Sequence, residues 1–89
     1  MEGVVYILQS LKNGRYYIGS TNAIERRFEE HCRGHVAATK YLLPLELKFF
    51  QVYESLELAR RIEYRLKKLK SRKIIEKIVL EKEIKLSGN

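Results

Sequence analysis

A single cysteine, Cys32, is the only thiol in this chain. No intrachain disulfide can form, and a reducing compartment is the simplest setting for the protein. Zinc chemistry is hardly better supplied. His31, Cys32 and His35 are the only residues of the usual structural-zinc type, and on a helix Cys32 points away from His31. No apolar run approaches the length of a membrane span. The stretch from Val4 to Leu8 is too short for a signal peptide and has no cleavage pattern beside it. Glycine is scarce, and no glycine-rich spacing follows Gly19, which excludes a phosphate-cradling loop there. Internal repeats, linkers and low-complexity segments are absent as well. These gaps together lead to the expectation of a soluble, cytoplasmic domain with no membrane partner.

What is present is charge and tyrosine. The 89 residues are expected to form one domain, residues 1–89, with a modest core. Eighteen Lys and Arg stand against eleven Asp and Glu, a net charge of +7 that favours polyanions, nucleic acid first. Both signs are abundant and 45% of the residues are hydrophobic, so disorder is not expected.

Val4-Val5-Tyr6-Ile7-Leu8 is rich in β-branched and aromatic residues and reads as a central strand covered on both faces. Asn13-Gly14 tolerates positive φ and signals a hairpin turn, with Arg15 to Gly19 as the returning strand. A two-residue turn sets Ser10 opposite Tyr17. Tyr6 shares Ser10's face, so the Tyr6 and Tyr17 phenols point the same way. A one-residue slip in register would separate them.

Asn22 has the sequence context of a helix N-cap, with Glu25 three positions on. The helix is expected to run to about Arg33 and to stop at Gly34. Its inner stripe is Ile24, Arg27, Phe28 and His31, so two positions that should be core are cationic or titratable. His35 to Leu43 reads as a loop or short helix closed by Pro44, and Leu45 to Tyr53 as a third strand. A second helix starts near Ser55, with Ala59, Ile62, Leu66 and Leu69 inward and Glu63 at the border of that stripe. Ser71 to Leu86 offers another amphipathic helix, with Ile74, Ile75, Ile78 and Val79 inward. The element order predicts an α+β domain, a small antiparallel sheet with helices packed against it.

Four side chains and one carboxylate could carry chemistry. A phenol takes a proton from water only where cations or hydrogen bonds favour phenolate. Arg27 and His31, four apart on one helix face, could supply that help. An arginine also offers a planar fork of donors to phosphate, and a histidine exchanges protons near neutral pH. Glu63 could hold a magnesium ion, which needs few protein ligands. Each has a plain alternative. Tyrosines suit strands, an arginine stem can cover apolar surface, the histidine could be a core residue, and Glu63 could pair with Arg27 or a neighbouring lysine.

These residues fall in one order. Tyr-Ile-Gly stands at Tyr17-Ile18-Gly19, preceded by Val4-Val5-Tyr6. Ser20-Thr21-Asn22, Arg27 and His31 follow, then Thr39-Lys40, Pro44-Leu45 and Leu58-Ala59 ahead of Glu63 and Lys67. From Val4 to Ile78 the chain resembles the GIY-YIG nuclease family, in particular its short stand-alone members, which are related to the catalytic domain of excision-repair and homing endonucleases. Two departures stand out. The opening triplet keeps only its tyrosine, and the sole late asparagine is Asn89.

The resemblance implies a three-stranded antiparallel sheet flanked by helices, and metal-dependent hydrolysis of DNA phosphodiesters in repair, recombination or other DNA processing. It implies that Tyr6 and Tyr17 handle the attacking water, one of them as general base. Arg27 would offset phosphate charge, His31 would relay or orient protons, and Glu63 would hold one Mg2+ or Mn2+. DNA is implied over RNA. Arg60, Arg61, Lys67 and Lys40 are the expected phosphate contacts, and a protein partner or a homodimer is left open. The rival expectation is a non-catalytic basic nucleic-acid-binding module on the same fold, since charge alone gives salt-sensitive binding.

Overall fold

The apolar run Val4–Leu8 lies at the heart of the sheet, as its lack of polar alternation requires. The computed structural model describes residues 1–86. Strand β1, Gly3–Ser10, is central, flanked by β2, Tyr16–Thr21, and β3, Leu45–Tyr53, in the order β2-β1-β3. Both pairings are antiparallel. Helix α1, Ile24–Cys32, packs on one face. Helices α2, Leu56–Leu69, and α3, Arg72–Glu81, cover the other. This is the α+β arrangement expected from the sequence.

Period-two alternation divides β1 between two cores. Tyr6 and Leu8 join Leu45 beneath α1, with Tyr17, Ile24 and Phe28 packed around them. Val5 and Ile7 point the other way, into a larger cluster with Ile18, Phe49, Ala59, Ile62, Leu66, Ile75 and Ile78. Ile62 is fully buried there, and truncating such a residue to alanine costs about 2–5 kcal/mol. Gly3 has its own packing reason. A β-carbon on it would strike the Leu56 backbone, so the start of α2 rests directly on β1.

The hairpin differs from expectation in length. Ser10 N–H donates to the Arg15 carbonyl (2.8 Å), which leaves Leu11 to Gly14 as the loop. The Ser10 hydroxyl accepts from the amides of Lys12 and Asn13, and Gly14 takes φ +77°. These local bonds favour the longer loop over a two-residue turn. Tyr17 therefore faces Leu8 rather than Ser10. The register moves by two residues, an even step, so both phenols stay on one face.

Helix α1 is not capped by Asn22. The residue before the helix is Ala23, whose amide donates to the Thr21 hydroxyl (3.1 Å), while the Asn22 side chain is engaged with Arg26 and Met1. The helix stops where expected, with Gly34 at φ +76° and the Gly34 and His35 amides returning to His31 and Glu30 carbonyls. A 3₁₀ turn, Lys40–Leu42, follows before β3. Ser55 and Ser71 cap α2 and α3 through their hydroxyls. Leu69, expected inward, is 48% exposed at the end of α2, where the chain turns at Lys70. In α3, Ile75 and Ile78 are buried, Val79 packs partly, and Ile74 is exposed at the rim. Ile84 returns to β3, its amide held by the Gln51 side chain (2.9 Å). No helix among the described residues is long and apolar enough to cross a membrane. Asn89 lies outside the described residues.

Candidate active site

Tyr6, Tyr17 and His31 meet on the α1 face of the sheet. The Tyr6 hydroxyl is 2.8 Å from His31 Nε2. The Tyr17 ring stands edge-on to the imidazole at 5.2 Å between centroids, and the two phenol rings are 6.4 Å apart. Tyr6 is 1% exposed and His31 is fully buried, whereas Tyr17 is half-buried. Gly19 makes the arrangement possible. It faces Tyr6 across the strands, and a β-carbon on it would collide with the Tyr6 ring and hydroxyl. The small residue between the second tyrosine and Ser20 therefore leaves room for the first phenol.

Burial sets the protonation of both groups. Desolvation pushes the Tyr6 phenol up to about 12, reinforced by the Tyr17 and Glu63 charges and opposed by Arg27. Burial likewise pushes the His31 imidazole down to about 4, with the Arg27 charge adding to the shift and Glu30 opposing it. At neutral pH the pair is a neutral phenol and a neutral imidazole. The second ring nitrogen, Nδ1, lies 2.7 Å from the Thr39 hydroxyl, and Thr39 is fully buried. Arg27 borders this group from α1 with its side chain 36% exposed, held by Glu30 at 3.0 Å. Its ion pair is thus with its own helix rather than with Glu63.

Glu63 comes from α2, on the opposite sheet face. Ile18 and Ser20 point toward that face while Tyr17 and Gly19 point toward α1, so the carboxylate and the phenols approach from the two sides of edge strand β2. The Ser20 hydroxyl donates to Glu63 Oε1. Lys67, one turn further along α2, places its ammonium 2.6 Å from Glu63 Oε2 and 5.4 Å from the Tyr17 ring centroid. Lys67 thereby links the acid to the phenol around the strand edge.

No group of three or more His, Cys, Asp or Glu among the described residues could hold a metal ion together. A metal here would have Glu63 as its protein ligand. The residues fit a hard divalent cation of that kind, which commonly takes one or two carboxylates and fills the rest of its shell with water and substrate phosphate. Glu63 is 19% exposed and already attracts a cation, the Lys67 ammonium.

The expected phosphate contacts divide. Lys67 is at the site, whereas Arg60 and Arg61 are exposed on α2, with Arg61 3.8 Å from Glu57. Lys40 is exposed in the turn beside Thr39 and stacks on Tyr41. Sequence reasoning missed Ser20 and Thr39 as partners. Ser20 was readable in principle, because alternation places it with Ile18 on the α2 face. Thr39 stood beside Lys40 in the family pattern, but no periodicity pointed it at His31, because it lies in an irregular segment.

The sequence pattern of the GIY-YIG catalytic domain matches residues 2–77. The chain belongs to the GIY-YIG family. That makes it a member of a nuclease superfamily. It is similar to UPF0213 proteins. One from Bacillus licheniformis is 38% identical over 78 residues, covering 86% of this chain and 78% of that protein. One from Vibrio parahaemolyticus is 36% identical over 86 residues, covering 96% and 80%. The match to a Bacillus cereus UPF0213 protein, 41% identical over 58 residues, spans only 60% of that protein. The solution NMR structure of the UPF0213 protein from Bacillus halodurans shares the GIY-YIG member's fold at TM-score 0.58 and 36% identity, covering 92% of this chain and 86% of that one.

Proposed function

We propose that this GIY-YIG protein is a metal-dependent endonuclease that hydrolyses phosphodiester bonds of DNA in the cytoplasm. The observation that carries the reading is the buried Tyr6–His31 hydrogen bond, with Tyr17 on the imidazole and Glu63 at the neighbouring strand edge. Tyr6 is the better candidate for the general base, because its hydroxyl lies 2.8 Å from the His31 imidazole and Arg27 is close enough to favour phenolate. In that role its phenolate takes a proton from water as the water oxygen attacks phosphorus. The bond from phosphorus to the leaving oxygen then breaks, and that oxygen leaves to be protonated. Arg27 offsets charge on the phosphate. Tyr17 lines the approach between the imidazole and Lys67. Mg2+ or Mn2+ bound at Glu63 would supply charge neutralisation and a more acidic water.

Arg60, Arg61, Lys67 and Lys40 would contact phosphates, and recognition of a particular DNA would come from a protein partner or a second copy of the chain. One observation favours the rival reading, a non-catalytic binding module. Both Glu63 oxygens are already engaged, by Ser20 and Lys67. Supercoiled plasmid incubated with Mg2+ decides between them. The wild type is expected to nick it, and Tyr6→Phe and Glu63→Gln to lose about 100-fold or more, the scale of a lost acid–base or metal contribution. Equal nicking by all three would mean contamination, and DNA binding without nicking would establish the binding module.

A further inference from the structure

Thr39 has no role in the chemistry above, yet it is fully buried and its hydroxyl lies 2.7 Å from His31 Nδ1. Both nitrogens of the imidazole therefore face hydroxyl oxygens, Thr39 on one side and Tyr6 on the other. A neutral imidazole has one donor and one acceptor. Three hydrogens, those of Thr39, Tyr6 and the ring, serve two hydrogen bonds, so one hydroxyl hydrogen is left over.

The two tautomers leave that hydrogen in different places. With the ring proton on Nδ1, Tyr6 donates to Nε2, and the spare hydrogen sits on Thr39 in the protein interior, where no other partner for its hydroxyl is found among the described residues. A buried donor without an acceptor is costly. With the ring proton on Nε2, Thr39 donates to Nδ1 and the ring donates to the Tyr6 oxygen. The spare hydrogen is then on Tyr6, which is itself 1% exposed but borders the half-buried Tyr17 and the partly exposed Arg27, the side from which a substrate would reach it.

We propose that Thr39 is a positioning residue whose hydroxyl donates to Nδ1 of His31, fixes the ring proton on Nε2 and makes His31 a hydrogen-bond donor to the Tyr6 oxygen. His31 thereby favours the Tyr6 phenolate without receiving the Tyr6 proton. The groups around the ring are Arg27 and Glu30 from α1, Tyr6 from β1 and Tyr17 from β2. None of the four competes with Thr39 for Nδ1. The consequence for catalysis rests on the nuclease reading, but the hydrogen-bond direction does not.

The test is long-range 15N–1H correlation of the imidazoles in histidine-labelled protein at pH 7, with His31 distinguished from His35 by a His35→Gln variant. Wild type and Thr39→Ser are expected to hold His31 in the Nε2–H tautomer, and Thr39→Val to shrink that preference by about tenfold, the scale of one lost hydrogen bond. A wild-type His31 protonated on Nδ1 would overturn the proposal, as would Thr39→Val with an unchanged tautomer. Should Thr39→Val fail to fold, the wild-type tautomer still decides. In the nicking assay Thr39→Val is expected to lower kcat about tenfold at unchanged KM and to move the alkaline rise of the pH profile upward, with Thr39→Ser restoring both. An Nε2–H tautomer in a wild type that does not nick would sink the nuclease reading alone.

Discussion

Tyr6 and Gly19 face each other across β1 and β2, and the Tyr6 ring occupies the space where any other residue at position 19 would place its β-carbon. The glycine is required by a side chain on the neighbouring strand rather than by its own backbone angles. Gly34 is the opposite case. It sits at φ +76° with only Leu43 nearby, at ordinary contact distance.

Alanine at the two positions is therefore expected to act differently. Gly19→Ala displaces the Tyr6 ring, destabilises by about 1–3 kcal/mol through overpacking, and abolishes nicking. Gly34→Ala costs about 1–2 kcal/mol in backbone strain and leaves nicking intact. Urea unfolding midpoints beside plasmid nicking at a temperature where both variants are folded check this. Retained activity in Gly19→Ala would contradict the placement of Tyr6.

Acid should destabilise the protein through His31. The imidazole pKa is about 4 in the folded chain, against the ordinary 6.5. Between those values the unfolded chain binds a proton that the folded chain does not, so stability falls as pH drops from 6.5 towards 4. The full gap corresponds to about 3 kcal/mol. The Tyr6 phenol, pushed up to about 12 from 10.0, works at the other end. There the unfolded chain loses its proton first, and stability falls as pH rises past 10. Urea midpoints at pH 7 and pH 4.5 are expected to differ much less in His31→Gln than in wild type. An equal acid loss in both would exclude His31 as its source.

Lys67 sits where a cation on Glu63 would sit, 2.6 Å from Oε2. Lys67→Met is accordingly expected to tighten Mn2+ binding by about two- to fivefold, the equivalent of one partly exposed ion pair. Titration calorimetry with Mn2+ alone measures it, and Glu63→Gln should abolish the binding in either background. Weaker Mn2+ binding by Lys67→Met would show that the lysine does not compete for the carboxylate.

Phosphate contacts should reveal themselves through salt. Arg60→Ala and Lys40→Ala are each expected to reduce the slope of log affinity against log salt by about 0.9 on duplex DNA. Fluorescence anisotropy across a salt series gives the slopes. Unchanged slopes would place the DNA elsewhere on the surface.

The parts of this molecule that were legible from sequence are those governed by periodicity. The uninterrupted run at Val4–Leu8 marked a strand buried on both faces, and the spacing of Ala59, Ile62 and Leu66 marked the inner face of α2. The shared face of Tyr6 and Tyr17 was reached with the wrong loop length, and it survived because the register error was even. The Asn22 cap was misread because Thr21, one residue earlier, bonds the Ala23 amide instead. The placement of Arg27 and His31 on one stripe was sound. Of their partners, Glu30 lies three residues from Arg27 on the same helix and was open to a reading by spacing. Thr39 on His31, like Ser20 on Glu63, is selected by tertiary approach rather than by spacing along the chain. The same is true of the two-sided approach to β2, which depends on that strand being at the sheet edge.

The decisive measurement is the anomalous difference map of crystals soaked in Mn2+ with a short duplex DNA. The expected result is a peak on the Glu63 carboxylate, with the Lys67 ammonium moved off Oε2 and a phosphate between the metal and the Tyr6 hydroxyl. Glu63 still closed by Ser20 and Lys67, with no peak beside it at a Mn2+ concentration that sustains plasmid nicking, would contradict a metal-assisted site at this strand edge.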